Sequence, residues 1–420
     1  MSVKIRILGS ANRTMQRLGF LKLLSALTAR VETSNLETLG KHCVQALLKR
    51  VRVTPPYNEA VRDYVQIRLM NGIYHDLRKA VLNGSRGTAP VWLELQDLYL
   101  SDTILPSSTG KLVEADWRRY PYLATNLDLI MPGTYSILTR SLVLLAVTPK
   151  EEIVAFDQYD PKHNALYISP EQAAVLFYCF IDNDAEIIYR LFRALANAKE
   201  DTFDERMAGD LLPQIIGESV RSFRNSVLPI EDRERLGVLE KVAGRIAEWK
   251  GKPYTGSGSR EEFIRVRLEP YCDLGLFTKP DRHRLAYQVT PALRNLMTNW
   301  HNLEATDDFL ETRFFTTLSI QHRLKVRTAT DDEAKAALFA AGLTLKSTLG
   351  YSTITDVGLL AGIRLLFQNK RVLELSRTRT ILRAWQKEAP TVVRFTVDRM
   401  GALAYVKFIP GPNPDAAKGS

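Results

Sequence analysis

Two distant segments of the sequence contain the same order of predicted elements. A predicted helix over Ala115–Leu127 leads into Asp128–Thr139, and another over Glu261–Tyr271 leads into Asp273–Thr290. Each following segment begins with Asp-Leu and further apolar residues, continues through a turn that contains proline, and ends in a short strand with a tyrosine and a final threonine. A new helix follows, and the threonine is placed to cap it. Both segments therefore predict a helix, a hairpin and a further helix.

A third segment near the C-terminus has a similar order. A basic helix is predicted over Leu373–Lys387. Two alternating stretches, Thr391–Val397 and Ala402–Phe408, then lie on either side of a turn that contains Gly401. This alternation predicts a β-hairpin.

The three segments resemble the second half of a winged helix, in which a recognition helix is followed by a two-stranded wing. The resemblance covers about 25–30 residues in each place. It implies a mainly α fold with small β-hairpins (α+β), with a helical N-terminal domain and two or three winged-helix units joined by helical segments. The expected division is a basic helical domain (1–86), a linker and first winged-helix-like unit (87–150), a helical middle region (151–250), a second winged-helix unit (260–325), a C-terminal basic winged-helix-like unit (326–409) and a disordered tail (410–420).

Other elements are predicted from local signals. Asn12–Arg30 has apolar residues at helical spacing. Pro170 is suited to the first turn of a helix that runs to about Phe180, and Asp182–Asp184 would cap the next one. Gly251–Ser259 is the best candidate for a domain linker.

Charge is distributed unevenly along the chain. The formal net charge is +10, but residues 1–86 contain 15 Lys and Arg against 5 Asp and Glu, and residues 364–420 contain 11 against 4. The 277 residues between them contain 31 against 38. Two basic ends flank an acidic middle, and such a field attracts polyanions, of which nucleic acid is the commonest in a cell. A solvated basic surface and a membrane-binding surface are the alternatives.

We expect sixteen cations to contact nucleic acid, because long cationic side chains reach phosphates and base edges. Six follow from the charge of the N-terminal section, and the others are implied by the winged-helix resemblance as parts of recognition helices and wings. They are Arg13, Arg17, Lys22, Lys49, Arg50 and Arg52 at the N-terminus, Arg260, Arg265, Arg267, Lys279, Arg282 and Arg284 in the second unit, and Arg377, Arg379, Arg383 and Arg399 in the C-terminal unit.

Catalytic and cofactor motifs are missing from the sequence. It has no phosphate-binding glycine loop, nucleophile elbow, zinc-protease motif or dinucleotide fingerprint, so no cofactor or metal is implied. Glu333 and Lys335 could belong to a metal-dependent nuclease. However, Thr330 and Glu333 have the spacing of a helix capping box, which is the better interpretation.

The sequence predicts a cytoplasmic protein that does not enter a membrane. Its three cysteines are far apart, and its N-terminus does not have the apolar core of a secretion signal. The longest apolar run, Leu142–Val147, is too short to cross a bilayer. Together with the charge distribution, the winged-helix resemblance implies the leading hypothesis, a non-enzymatic, bacterial DNA-binding accessory subunit. Its basic ends would dock on duplex DNA while its acidic middle recruits a partner protein, in antiviral defence or DNA processing. The alternatives are a protein-interaction scaffold without nucleic-acid binding and, third, a nuclease with an unrecognised site.

Overall fold

A computed structural model describes residues 5–8, 18–29, 123–131, 137–149, 168–224, 230–249, 263–280, 286–347, 349–397 and 403–409. The helices in these ranges are α1 (Gly19–Thr28), α2 (Thr139–Ala146), α3 (Pro170–Ala196), α4 (Glu205–Arg224), α5 (Ile230–Trp249), α6 (Glu269–Asp273), α7 (Pro291–Asn299), α8 (Thr306–Thr312), α9 (Phe314–Gln321), α10 (Asp331–Leu345), α11 (Ile354–Arg364) and α12 (Leu375–Glu388). The strands are β1 (Thr202–Asp204), β2 (Phe277–Thr278), β3 (Ala286–Val289), β4 (Arg327–Thr328), β5 (Ser352–Thr353), β6 (Arg371–Val372), β7 (Val393–Val397) and β8 (Leu403–Phe408). The expectation of a mainly helical chain with small β elements is confirmed.

The long helix α3 forms the centre of the described core. It begins with a capping box between Ser169 and Gln172, and Pro170 occupies its first turn as the sequence predicted. The backbone leaves helical geometry at Asp184 (φ −134°, ψ 18°), so two helical halves meet in a kink rather than in the separate capped helices we expected. Nearly every side chain around the kink is buried.

A central unit surrounds the C-terminal half of α3. Its three strands form an antiparallel sheet in the order β1-β3-β2, with Phe203 opposite Tyr287 and Phe277 opposite Val289. The hairpin β2–β3 was predicted, and Thr290 caps α7 by accepting a hydrogen bond from the Leu293 amide.

The helix predicted over Glu261–Tyr271 was wrong. Residues 263–265 form a helical turn, residues 266–268 form an irregular turn, and α6 begins only at Glu269. The physical reason is Pro270, which has no amide hydrogen for an intrahelical bond and clashes with the preceding turn when it lies inside a helix. Pro270 is tolerated because it falls at the start of the new short helix.

The C-terminal unit has a similar order of elements, although the central unit has the additional helix α5 before α6. In each unit a helix precedes the first strand, another helix follows it, and a further helix leads into the final hairpin. Here the elements are α10, β5, α11, α12, β7 and β8, and the sheet order β5-β8-β7 again places the last strand in the centre. The predicted helix and hairpin are confirmed at Leu375–Glu388 and at β7–β8, where Phe395 lies opposite Val406.

In the segment predicted as the first winged-helix-like unit, the described residues 123–131 and 137–149 contain less strand than expected. Ile130 and Ile137 form an isolated antiparallel bridge, and α2 follows it. The predicted cap by Thr139 was wrong, because the extended chain reaches only to Leu138, which takes the cap position, and Thr139 is already helical. No described helix combines the length and the apolar character that a membrane crossing requires.

Several predicted segments lie outside the described residues. They include most of the basic helical domain (1–86), the linker Gly251–Ser259 and the tail (410–420). Within the N-terminal helix predicted over Asn12–Arg30, the described part is α1.

Candidate nucleic-acid interface

Helix α12 is fixed in place by one buried face. Leu375, Thr378, Ile381 and Leu382 are buried at helical spacing and pack toward α10 and α11. Helix α11 comes close enough that a Cβ atom on Gly358 would lie 2.8 Å from Leu375 Cδ2. This close crossing leaves the opposite face of α12 toward solvent.

The start of α12 is tied to the helix α9. The Glu374 carboxylate accepts hydrogen bonds from the amides of Phe315 (3.1 Å) and Thr316 (2.8 Å), which are two of the free amides in the first turn of α9. Burial raises the pKa of Glu374, while these hydrogen bonds act in the opposite direction. The Glu374 side chain therefore fixes the N-terminal end of α12 against the body of the protein.

The hairpin β7–β8 is held beside α12 by three aromatic rings. The Phe408 ring centroid lies 5.6 Å from that of Phe339 on α10 and 5.8 Å from that of Trp385 on α12. Gly342 makes room for the Phe408 ring, because a Cβ atom there would overlap it. Aromatic contacts of this kind give a hairpin one defined position relative to a helix.

The free face of α12 carries small and cationic side chains. Thr380, Arg383, Ala384 and Lys387 are exposed, and their spacing places them on one side of the helix. Neither Arg383 nor Lys387 forms an ion pair with another residue in the described part of the chain. Two unneutralised cations flanked by small side chains form a surface that another molecule can approach closely.

Of the three cations predicted on α12, Arg377 and Arg379 are neutralised, whereas Lys387 on the free face was not among the predicted contacts. Arg377 donates to the Ala329 carbonyl (2.5 Å) and pairs with Asp331 (2.7 Å). Arg379 pairs with Glu311 at 2.9 Å but remains 43% exposed. Arg377 therefore acts mainly as a tie between α12 and the start of α10, whereas Arg379 borders the free face.

Sequence reasoning missed two cations on the hairpin β7–β8. Arg394 on β7 is exposed, and it lies opposite Lys407 on β8. Lys407 donates to the Leu349 carbonyl (3.0 Å) and lies 5.3 Å from the Tyr351 ring centroid. Their pairing across the hairpin was the available signal, because directly opposed residues project to the same face. Arg399, predicted in the wing tip, lies outside the described residues.

The predicted cations of the central unit do not form a binding surface, and Arg267 is the clearest correction. It is fully buried, its Nε lies 2.8 Å from Asp184 Oδ2, and one NH2 donates to Asp184 Oδ1 at 3.0 Å. Its guanidinium also lies 4.0 Å from the Phe263 ring centroid. Burial raises the pKa of Asp184, and Arg267 opposes that shift. Arg267 holds the kink of α3 and is closed to any ligand.

Arg265 and Lys279 are also used inside the fold. Arg265 is 8% exposed and donates to Glu205 (2.6 Å), and Lys279 pairs with the buried Glu269. Tyr287 lies between the two carboxylates: its hydroxyl donates to Glu269 (2.6 Å) and lies 3.2 Å from a Glu205 oxygen. The prediction that Arg265 and Lys279 contact nucleic acid is not compatible with these partners, because each cation neutralises a carboxylate that would otherwise be buried alone.

The N-terminal predictions are largely outside the structure. Lys22 is fully buried, so it cannot reach a ligand from this position. The remaining predicted residues that lie outside the described ranges are Arg13, Arg17, Lys49, Arg50, Arg52, Arg260, Arg282 and Arg284.

The residues considered for a nuclease site have structural partners. Thr330 and Glu333 form the capping box of α10, as the sequence predicted, and Glu333 also accepts from Arg371 at 2.9 Å. Lys335 pairs with Glu388. Within the described ranges, no three His, Cys, Asp or Glu side chains are grouped so that they could hold a metal ion.

The chain matches no protein-family model, and searches of curated proteins and of solved structures find no significant match either. The geometry of α12 and its hairpin is therefore the basis on which a function can be inferred.

Proposed function

We propose that this protein is a non-enzymatic DNA-binding accessory subunit whose C-terminal unit is a winged helix. Helix α12 is its recognition helix, and β7–β8 is its wing. The observation that carries the proposal is the free face of α12, where Arg383 and Lys387 are exposed and have no ion-pair partner among the described residues, beside a hairpin that presents Arg394. An α-helix fits the major groove of duplex DNA, and cations at its edge contact phosphates.

The charge of the unit supports the same ligand. Residues 326–409 contain 13 Lys and Arg against 7 Asp and Glu, whereas residues 151–250 contain 12 against 19. The basic unit would dock on DNA, and the acidic middle would recruit a partner protein that performs the chemistry, in bacterial defence or DNA processing. Attraction by many phosphates makes such binding strongly dependent on salt.

A salt titration tests the proposal. The full chain and the variant Arg383→Ala/Lys387→Ala are titrated against a fluorescein-labelled duplex by anisotropy at several salt concentrations. The variant is expected to bind more weakly. The plot of log affinity against log salt concentration has a negative slope, and the magnitude of this slope is expected to decrease by about two, because two phosphate contacts are lost.

Helix α5 offers a matched control. Lys241→Ala/Arg245→Ala also removes one lysine and one arginine that are exposed and four residues apart, but from the acidic region. This control should retain the affinity and slope of the unchanged protein. Equal slopes for both variants would overturn the assignment of α12, and an absence of binding at low salt would overturn DNA binding altogether.

The buried ion pairs of the central unit favour a second candidate function, a protein-interaction scaffold that does not bind nucleic acid. Arg265 and Arg267 leave that unit without two of its expected DNA contacts. Co-purification with a stable partner, together with no DNA affinity of the free protein or of the complex, would select the scaffold.

A further inference from the structure

A second group of exposed cations lies next to the N-terminal end of α12. Strands β4 and β6 form a two-stranded parallel ribbon in which Arg327 lies opposite Arg371. The Arg327 amide donates to the Lys370 carbonyl (3.2 Å), and the Ala329 amide donates to the Val372 carbonyl (3.0 Å). We call the exposed cations Arg323, Lys325, Arg327 and Lys370 the basic ribbon.

The chain that enters β4 alternates between inward and outward side chains. Leu324 and Val326 pack against the core, whereas Arg323, Lys325 and Arg327 are exposed. In an extended chain, alternate side chains project to one side about 6–7 Å apart. Lys325 and Arg327 therefore project to the same side of the chain, and Arg323 lies in the turn that precedes them.

These cations are available for a ligand. None of the four forms an ion pair with another described residue, although Lys370 donates to the Phe367 carbonyl (2.8 Å). In contrast, Arg371 is neutralised by Glu333. Arg377 of α12 donates to Ala329, so the ribbon adjoins the start of α12 directly.

Two of the four residues occupy backbone positions that favour glycine. Arg323 follows the end of α9 with φ 53°, and Lys370 follows a π-helical turn (Leu365–Asn369) with φ 57°. Glycine is the usual residue in this left-handed conformation, because a Cβ atom is strained there. Both positions hold long cations instead, and residues kept in strained conformations are concentrated at binding sites.

We propose that the basic ribbon binds the phosphate backbone of the same duplex that α12 contacts, as a second docking point. This inference rests on the proposed DNA-binding function. It adds a contact surface that is separate from the helix and from the wing, and it assigns the strained conformations of Arg323 and Lys370 to phosphate binding.

Substitution by glycine separates binding from folding. Arg323→Gly/Lys370→Gly removes two cations and relieves two strained positions, so the thermal unfolding midpoint should stay the same or rise. The salt slope of duplex binding should nevertheless fall by about two. A second variant, Lys325→Ala/Arg327→Ala, should decrease the salt slope by a similar amount. The control Lys241→Ala/Arg245→Ala should leave the salt slope unchanged.

Lysine acetylation provides an independent readout on the unchanged protein. Duplex DNA should protect Lys325 and Lys370 from an amine-reactive acetylating reagent, as measured by mass spectrometry, and Lys241 should react equally with and without DNA.

The salt titrations distinguish failure of the ribbon inference from failure of the proposed function. If both ribbon variants keep the full salt slope while the α12 variant loses part of it, the ribbon inference is wrong and the proposed function stands. If the salt dependence of duplex binding decreases in the ribbon variants but not in the α12 variant, the basic ribbon is a DNA contact and α12 is not. No binding by the unchanged protein would overturn both.

Discussion

The central and C-terminal units share an order of elements but use their cations in opposite ways. In the central unit, Arg267 is enclosed beside Asp184, and Arg265 beside Glu205. In the C-terminal unit, Arg383 and Lys387 project from α12 without a carboxylate partner in the described residues. The difference shows that this topology does not determine a function. The presence or absence of a facing carboxylate decides whether an arginine stabilises the fold or remains free to bind.

Another largely buried cation, Arg140, connects distant parts of the chain. Arg140 on α2 pairs with Asp182 on α3 (2.6 Å) and lies 3.6 Å from Asp356 on α11. Burial raises the pKa of Asp356, and Arg140 opposes that shift. Breaking one partner of such a pair leaves a buried charge without compensation, which is more costly than removing both partners.

The largest expected effect is the loss of Arg267. Arg267→Ala should lower the free energy of unfolding by about 3–5 kcal/mol, because Asp184 is left buried without its cation. Chemical denaturation followed by circular dichroism measures the change. The double variant Asp184→Asn/Arg267→Met should recover part of the loss, since no buried charge remains. A loss below about 1 kcal/mol for the single variant would contradict a structural role for Arg267.

A pH-dependent effect is expected at Glu186, which lies on α3 beside the kink. Burial raises its pKa to about 7, although Arg190 and Arg6 act in the opposite direction, and Asp184 adds to the increase. The folded-state pKa exceeds the ordinary value of 4.5, so the native protein loses stability as pH rises through about 7. Glu186→Gln should therefore be more stable than the unchanged protein at about pH 8, by up to about 3 kcal/mol.

The same variant provides its own control at low pH. Below the ordinary pKa of 4.5, the carboxyl group is protonated in both the folded and the unfolded states. The difference in unfolding free energy between Glu186→Gln and the unchanged protein should then disappear. A difference that does not change with pH would show that the Glu186 charge has no part in it.

A smaller effect on stability is expected at Lys279 in the central unit, which pairs with Glu269. Lys279→Met should lower the free energy of unfolding by about 1–3 kcal/mol, because Glu269 loses its cation but keeps the Tyr287 hydroxyl. The salt slope of DNA binding should remain unchanged, in contrast to Arg383→Ala/Lys387→Ala. A decrease in that slope would remove the distinction between the two units.

The smallest stability change is expected for the exposed cations of α12. Arg383→Ala/Lys387→Ala should change the free energy of unfolding by less than about 0.5 kcal/mol, as exposed substitutions usually do. Denaturation measured alongside Lys241→Ala/Arg245→Ala tests this expectation. A loss as large as that of Arg267→Ala would mean that the α12 cations are structural, and the contrast between the units would fail.

Local signals in the sequence predicted many of the elements. Pro170 in the first turn of α3 and the capping residues Thr290 and Thr330 begin helices as expected, and the alternating stretches at the C-terminus form the hairpin β7–β8. These features depend on residues a few positions apart, which is the range over which capping and alternation act. The broken helix before Pro270 could also have been predicted, because proline interrupts a helix for a local reason.

The sequence by itself determined where charge is concentrated, where helices begin and where hairpins turn. Only the tertiary structure decided which cations are free: Arg267 meets a carboxylate 83 positions away, and strands β4 and β6 come together from separate parts of the chain to form the basic ribbon. The physical reason is that burial and ion pairing are properties of folded neighbours. An arginine has the same charge whether it is buried or exposed, but its function depends on which groups the fold brings within hydrogen-bonding distance.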